Sequence, residues 1–188
     1  ILSPNKINYL IYQDTLIEEH IIGLPGDQFI DSYLKKEEHN IVRLAKEFVK
    51  FDERCYIRLL GDMRSYNYVV SVTPDFDQNQ YRIRAIDFDQ QTYEGRSSFY
   101  HPHYFKENLA FVKMGMECLT AKSVEQYKRE ERSFIAKRVK NERRQLKKLI
   151  SIMEKDTIST PEKLDMLRNE IARKEKNTIF KTAKSMGQ

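Results

Sequence analysis

Two short segments hold the residues best suited to chemistry: Gly61-Asp62-Met63-Arg64-Ser65-Tyr66-Asn67 and Arg84-Ala85-Ile86-Asp87-Phe88-Asp89. Their types and spacing suit phosphoryl transfer. That reaction asks a protein for little covalent chemistry. It needs a group that orients or deprotonates an incoming hydroxyl, oxygen ligands for the Mg2+ that bridges the phosphates, and positive charge for the transferring group. Asp62 is the candidate for the first role. Asn67, five residues on, and Asp87 offer the carboxylate and amide oxygens that hard Mg2+ prefers. Arg64, two residues after Asp62, offers the positive charge. A plainer reading stands beside this one: Asp62 and Asn67 as turn-formers and Asp87 as a cap at a strand end.

The surrounding elements must bring these residues together. Tyr66-Asn67-Tyr68-Val69-Val70-Ser71-Val72-Thr73 reads as a strand, 74–80 as a polar turn, and Tyr81-Arg82-Ile83-Arg84-Ala85-Ile86 alternates as a strand should. An antiparallel hairpin sets its entrance beside its exit, so Asp62, Asn67 and Asp87 are expected to meet at one end of a sheet. Upstream, residues 7–12 read as a strand, 17–22 fit strand or helix, and Gly23-Leu24-Pro25-Gly26-Asp27 breaks any element. A short helix is expected at 27–35. A longer one is expected at 38–57, with Ile41, Leu44, Ala45, Phe48 and Cys55 near one face. Residues 90–105 read as loop, and the chain turns helical from about 106. Residues 121–154 contain no Gly or Pro and read as one helix, about 50 Å long at ~1.5 Å per residue. Val124, Tyr127, Phe134, Ile135, Val139, Leu146, Ile150 and Met153 form its interrupted apolar stripe. Ser159-Thr160-Pro161-Glu162 starts a second helix bearing Leu164, Leu167 and Ile171. The two are expected to form an antiparallel helical hairpin.

With these residues in place, the chain resembles the protein-kinase-like superfamily, most closely its aminoglycoside phosphotransferase-like, small-molecule branch. The catalytic loop of that group reads His-Gly-Asp, four residues, then Asn. Leu60-Gly61-Asp62 followed by Asn67 matches except at the His. Arg64 stands where protein kinases commonly place a Lys. Ile86-Asp87-Phe88-Asp89 is similar to the metal-binding Asp-Phe-Gly segment, with the Asp third residue familiar in the small-molecule branch. The order also agrees: hinge-like strand 7–12, helix 38–57, catalytic loop, hairpin, metal-binding Asp, activation-type loop, helices. The resemblance spans roughly residues 7–118. It implies an α+β, mainly helical fold, with a kinase-like C-lobe at 1–118 and a basic helical extension at 119–188. It also implies Mg2+ and ATP as cofactors, Asp62 and Arg64 as catalytic residues, and Asn67 and Asp87 on the metal and nucleotide. The chain departs from the family in lacking Ala-Pro-Glu and in the longer Asn67–Asp87 separation. It also shows no Gly-rich phosphate loop or strand-borne Lys that would give Glu18 or Glu19 a partner. The nucleotide-gripping N-lobe is therefore expected to be missing or reduced. A kinase-like fold that is catalytically silent, or a helical interaction module, is the alternative.

The bulk numbers set the frame. At 188 residues, 40% hydrophobic and 32% charged, the chain suits one core with a helical appendage. It contains no apolar run of the roughly 18 residues that span a bilayer, so no membrane association is expected. It shows no charged-then-apolar leader. Residues 121–188 hold 19 Lys and Arg against 10 Asp and Glu, a balance of +9; the first 120 hold 14 against 18, a balance of −4. Phosphate contacts by the basic segment would make nucleic acid a partner. Interspersed acids and pairs such as Glu125–Arg129 favour an ordinary solvated helix instead, leaving a protein partner or self-association. Cys55 and Cys118 form no framework and read as buried thiols, which suits a cytoplasmic setting. His101-Pro102-His103 carries two imidazoles on alternate residues. No third ligand is in clear register, which favours a loop or substrate-recognition role over a metal. No Ser or Cys nucleophile with a base partner stands out.

Overall fold

Alternation of apolar and polar side chains builds the sheet on which the candidate residues depend. The computed structural model describes residues 10–12, 15–17, 20–34, 40–76, 78–90, 96–153, 160–162, 165 and 169. Strands β1 (Leu10–Tyr12) and β2 (Thr15–Ile17) form an antiparallel ribbon. Strands β3 (Leu24–Pro25), β4 (Tyr68–Asp75) and β5 (Gln78–Ala85) form a second antiparallel sheet in that order. In β5, Tyr81, Ile83 and Ala85 are buried while Arg82 and Arg84, which alternate with them, are half-buried. The β4–β5 register runs from Tyr68 opposite Ala85 to Asp75 opposite Gln78. The turn expected at 74–80 is therefore much shorter. Its polar residues pair across the ladder, and Gln80 Nε2 donates to Asp75 Oδ2 at 2.6 Å.

The helix expected at 27–35 forms as a short α-turn, α1 (Gly26–Gln28), that widens into a π-helix over Phe29–Tyr33. Helix α2 (Ile41–Ile57) starts at Asn40, whose side chain accepts from the Arg43 amide at 3.0 Å. Leu44, Ala45, Phe48 and Cys55 are buried as expected, and Phe51 joins them; Ile41, in the first turn, is half exposed. Helix α3 (Leu109–Cys118) supplies Phe111, stacked on Phe48 with ring centroids 4.9 Å apart. Phe29, Tyr68 and Ile83 complete the core between α2, α3 and the sheet. Cys55 is buried, whereas Cys118 is only partly so.

The single helix expected at 121–154 is two: α4 (Ala121–Asn141) and α5 (Arg143–Met153), with a break at Glu142. The surrounding side chains are exposed, and Asn141 is a poor helix former. Thr120 and Ser123 cap α4 reciprocally. α4 lies on α2 through charge more than through its apolar stripe. Arg54 reaches Glu131 at 3.4 Å, Arg132 reaches Glu53 at 2.5 Å, and Lys50 reaches Glu130 at 2.8 Å. Phe134 remains half exposed. Pro161 and Glu162 are helical, as the start signal predicts. Leu164, Leu167 and Ile171 lie outside the described residues, as do Glu18 and Glu19. The architecture is α+β and mainly helical. Among the described residues no helix is long and apolar enough to cross a membrane.

Candidate active site

The site begins where α2 stops. The Leu59 amide donates to Tyr56 O at 3.2 Å and the Leu60 amide to Cys55 O at 3.0 Å, with Leu59 left-handed at φ 53°. That is a Schellman cap with Leu in the place usually given to Gly. It turns the chain sharply into Leu60-Gly61-Asp62. The Gly61 amide then donates to Gln90 O at 3.0 Å, and the Asp62 amide to Phe99 O at 3.3 Å. These bonds clamp the Asp62 loop to the segment that follows Asp87. Gly61 is required there: a Cβ would lie 1.9 Å from the Phe99 ring.

Asp62 itself is left-handed at φ 53°, a conformation Asp tolerates better than most residues. The turn that follows is closed by two donors to the Asp62 carbonyl: the Arg64 amide at 2.8 Å and Asn67 Nδ2 at 2.8 Å. Asn67 is buried, and its own carbonyl accepts from the Ile86 amide at 3.0 Å. Asp62, Asn67 and Asp87 are thus brought to one end of the β4–β5 hairpin, where the entrance and exit of the sheet adjoin. With Nδ2 committed to Asp62, the Asn67 amide has its oxygen to offer a ligand.

Arg64 lies between two carboxylates. Its Nε donates to Asp62 Oδ1 at 2.9 Å and its Nη1 to Glu107 Oε1 at 2.8 Å, while the guanidinium covers the Phe105 ring at 5.2 Å. The hydrogen bond to Asp62 foremost, with that to Glu107 adding, raises the Arg64 pKa against the opposing desolvation. The Glu107 carboxyl is lowered by its own backbone amide first, then by Arg64. The Asp87 carboxyl accepts from the Asp89 amide at 3.2 Å. Its pKa is raised, chiefly by desolvation, with the charges of Asp89 and Asp62 adding to the effect. Asp87 feels the charges of Asp89 and Asp62, and the donors that Asp87 and Asn67 could offer are oxygens, the kind hard Mg2+ prefers. Sequence reasoning missed Glu107, whose position 43 residues from Arg64 left no local signal.

A second group lies behind the loop. Asp52, on α2, is nearly fully buried. Its Oδ2 is 2.9 Å from His101 Nδ1, and its Oδ1 is 2.7 Å from His103 Nδ1 and accepts from the His103 amide at 3.2 Å. This is the third residue that the His-Pro-His spacing lacked in sequence. Helical periodicity assigns Asp52 no partner, and the histidines follow it by 49 and 51 positions. Buried Asn108 joins the two groups: its Nδ2 donates to Pro102 O at 2.8 Å and to Met63 O at 2.9 Å, and its Oδ1 accepts from Tyr68 Oη at 2.8 Å. Comparison with protein-family models, curated proteins and solved structures finds no match to this chain.

Proposed function

We propose that this chain is the C-lobe of a protein-kinase-like phosphotransferase, nearest the aminoglycoside phosphotransferase-like branch, acting on a hydroxyl acceptor with ATP in a cytoplasmic setting. The observation that carries the reading is the closure of the loop. Asn67 donates to the carbonyl of Asp62 and accepts from the residue preceding Asp87. One hydrogen-bonded turn therefore holds the base candidate and both ligand candidates in register.

Asp62 would accept the proton of the hydroxyl as it attacks. Arg64, held by Glu107, orients that carboxylate, and would share its charge with the transferring group. Asn67 and Asp87 would hold Mg2+, which with ATP supplies neutralisation of charge on the phosphates. The Arg64–Asp62 ion pair favours a second reading. A carboxylate already satisfied by a neighbouring guanidinium serves equally as a structural brace in a silent kinase-like module, whose helices would dock a protein partner.

Calorimetric titration of Mg·ATP into the full chain, with an Asp87→Ala control, tests the binding. Metal-dependent heat that the control loses is expected; a folded protein that takes up no Mg·ATP overturns the reading. Asp62→Ala then separates the two roles. Loss of transfer by about 10²–10⁴-fold, the usual worth of a general base, with an unchanged melting temperature marks catalysis. Lost stability with retained turnover marks the brace.

A further inference from the structure

We propose that Asp52, His101 and His103 form a binding site for a divalent transition-metal ion of the zinc class, separate from the all-oxygen group at Asp62, Asn67 and Asp87. One ligand atom from each of the three residues lies within 4.8 Å of the others. Donors bound to Zn2+ at about 2.0–2.1 Å sit roughly 3.3 Å apart in a tetrahedron. The imidazoles meet different oxygens of the carboxylate, at 2.9 Å and 2.7 Å, so an ion would draw the donors, now within 4.8 Å of one another, toward that spacing. Each ring would carry its proton on Nε2 and present the Nδ1 lone pair.

The framework is already built. Tyr56 stacks on His101 with centroids 4.7 Å apart, and Tyr104 packs on His103 at 4.2 Å. Pro102 sits between the histidines, and Asn108 pins its carbonyl. The charge balance points the same way. Among the described residues the partners of Asp52 are the two imidazoles and the His103 amide. A divalent ion held by the same imidazoles would bring full charge to the buried carboxylate. Two nitrogens and one oxygen select zinc-like ions over Mg2+ and Ca2+. The His103 side chain is 37% exposed against 5% for Asp52, which gives an ion a way in. Three protein donors leave a fourth position for water or another ligand.

The full chain, stripped with a chelator, is titrated with Zn2+ in excess Mg2+, and with Co2+ while visible absorption is followed. One ion per chain is expected, with ligand-field bands for Co2+. His103→Gln, at the exposed edge, should weaken Zn2+ by roughly 100-fold and remove the bands while the metal-free circular dichroism stays unchanged; loss of a mere outer-shell partner typically costs 10–100-fold. Asp87→Ala should leave zinc binding intact, which distinguishes the two sites. Absence of Zn2+ and Co2+ binding by the folded wild type overturns the proposal. So does binding as tight as wild type in both His103→Gln and His101→Gln.

Discussion

Asp52 shows how a single side chain ties chemistry to stability. Desolvation alone would raise its pKa, yet hydrogen bonds from His101 and His103, and then their charges, hold it at about 2 against an ordinary 3.8. Because the folded value is the lower, Asp52 stabilises the fold fully above the unfolded value. That contribution drains away as the pH falls from about 4 to about 2. It amounts to about 2 kcal/mol at ~1.4 kcal/mol per unit. Urea midpoints of wild type and Asp52→Asn should therefore differ at about pH 5 and converge near pH 2; a gap that persists in acid would break the linkage. The residue scale also marks how far the sequence could be read. Asp62, Asn67 and Asp87 were legible because each lies within a few positions of a strand whose alternation fixes it. Asp52 was hidden because its partners are distant in the chain, and the periodicity of α2 reports burial without saying what a buried carboxylate meets.

At the scale of elements, the hairpin and α2 follow from pattern, while the tip of the hairpin does not. The polar residues at 74–80 look like a loop, yet cross-strand pairing extends both strands and leaves Phe76 at a tight turn with φ 44° and a fully exposed ring. A left-handed Phe costs about 1–2 kcal/mol that a Gly would not. Part of that is offset by the greater freedom of Gly in the unfolded chain. Phe76→Gly is expected to raise stability by about 0.5–1 kcal/mol in a thermal melt; a lower midpoint would show that the ring is held by something. The break at Glu142 and the widening of α1 into a π-helix were likewise illegible. Neither the break nor the widened turn over Phe29–Tyr33 contains a Gly or Pro to mark it.

For the whole molecule, net charge suggested a basic segment apart from an acidic body. The contacts are subtler, because Glu130 and Glu131 of α4 turn onto α2, as does Arg132, while Glu125 and Arg129 pair on the exposed side. Composition cannot reveal which way a minority charge points. Arg54 lies at the centre of this join, 4% exposed, with Glu47 at 2.6 Å, the Ile83 carbonyl at 3.0 Å and Glu131 at 3.4 Å. Glu47 also accepts from the Ile83 amide at 3.0 Å. Each partner outside α2 comes from a different element, so opening any one strands a buried charge. The consequence is kinetic. The amides of Phe51 to Arg54, Ile83 and Glu131 should exchange with deuterium as a single cooperative unit near the global opening free energy, while those of 144–148 exchange much earlier. Should the Glu131 amide exchange with the early group instead, α4 would be an independent appendage, free to detach while the sheet and its loop stay folded.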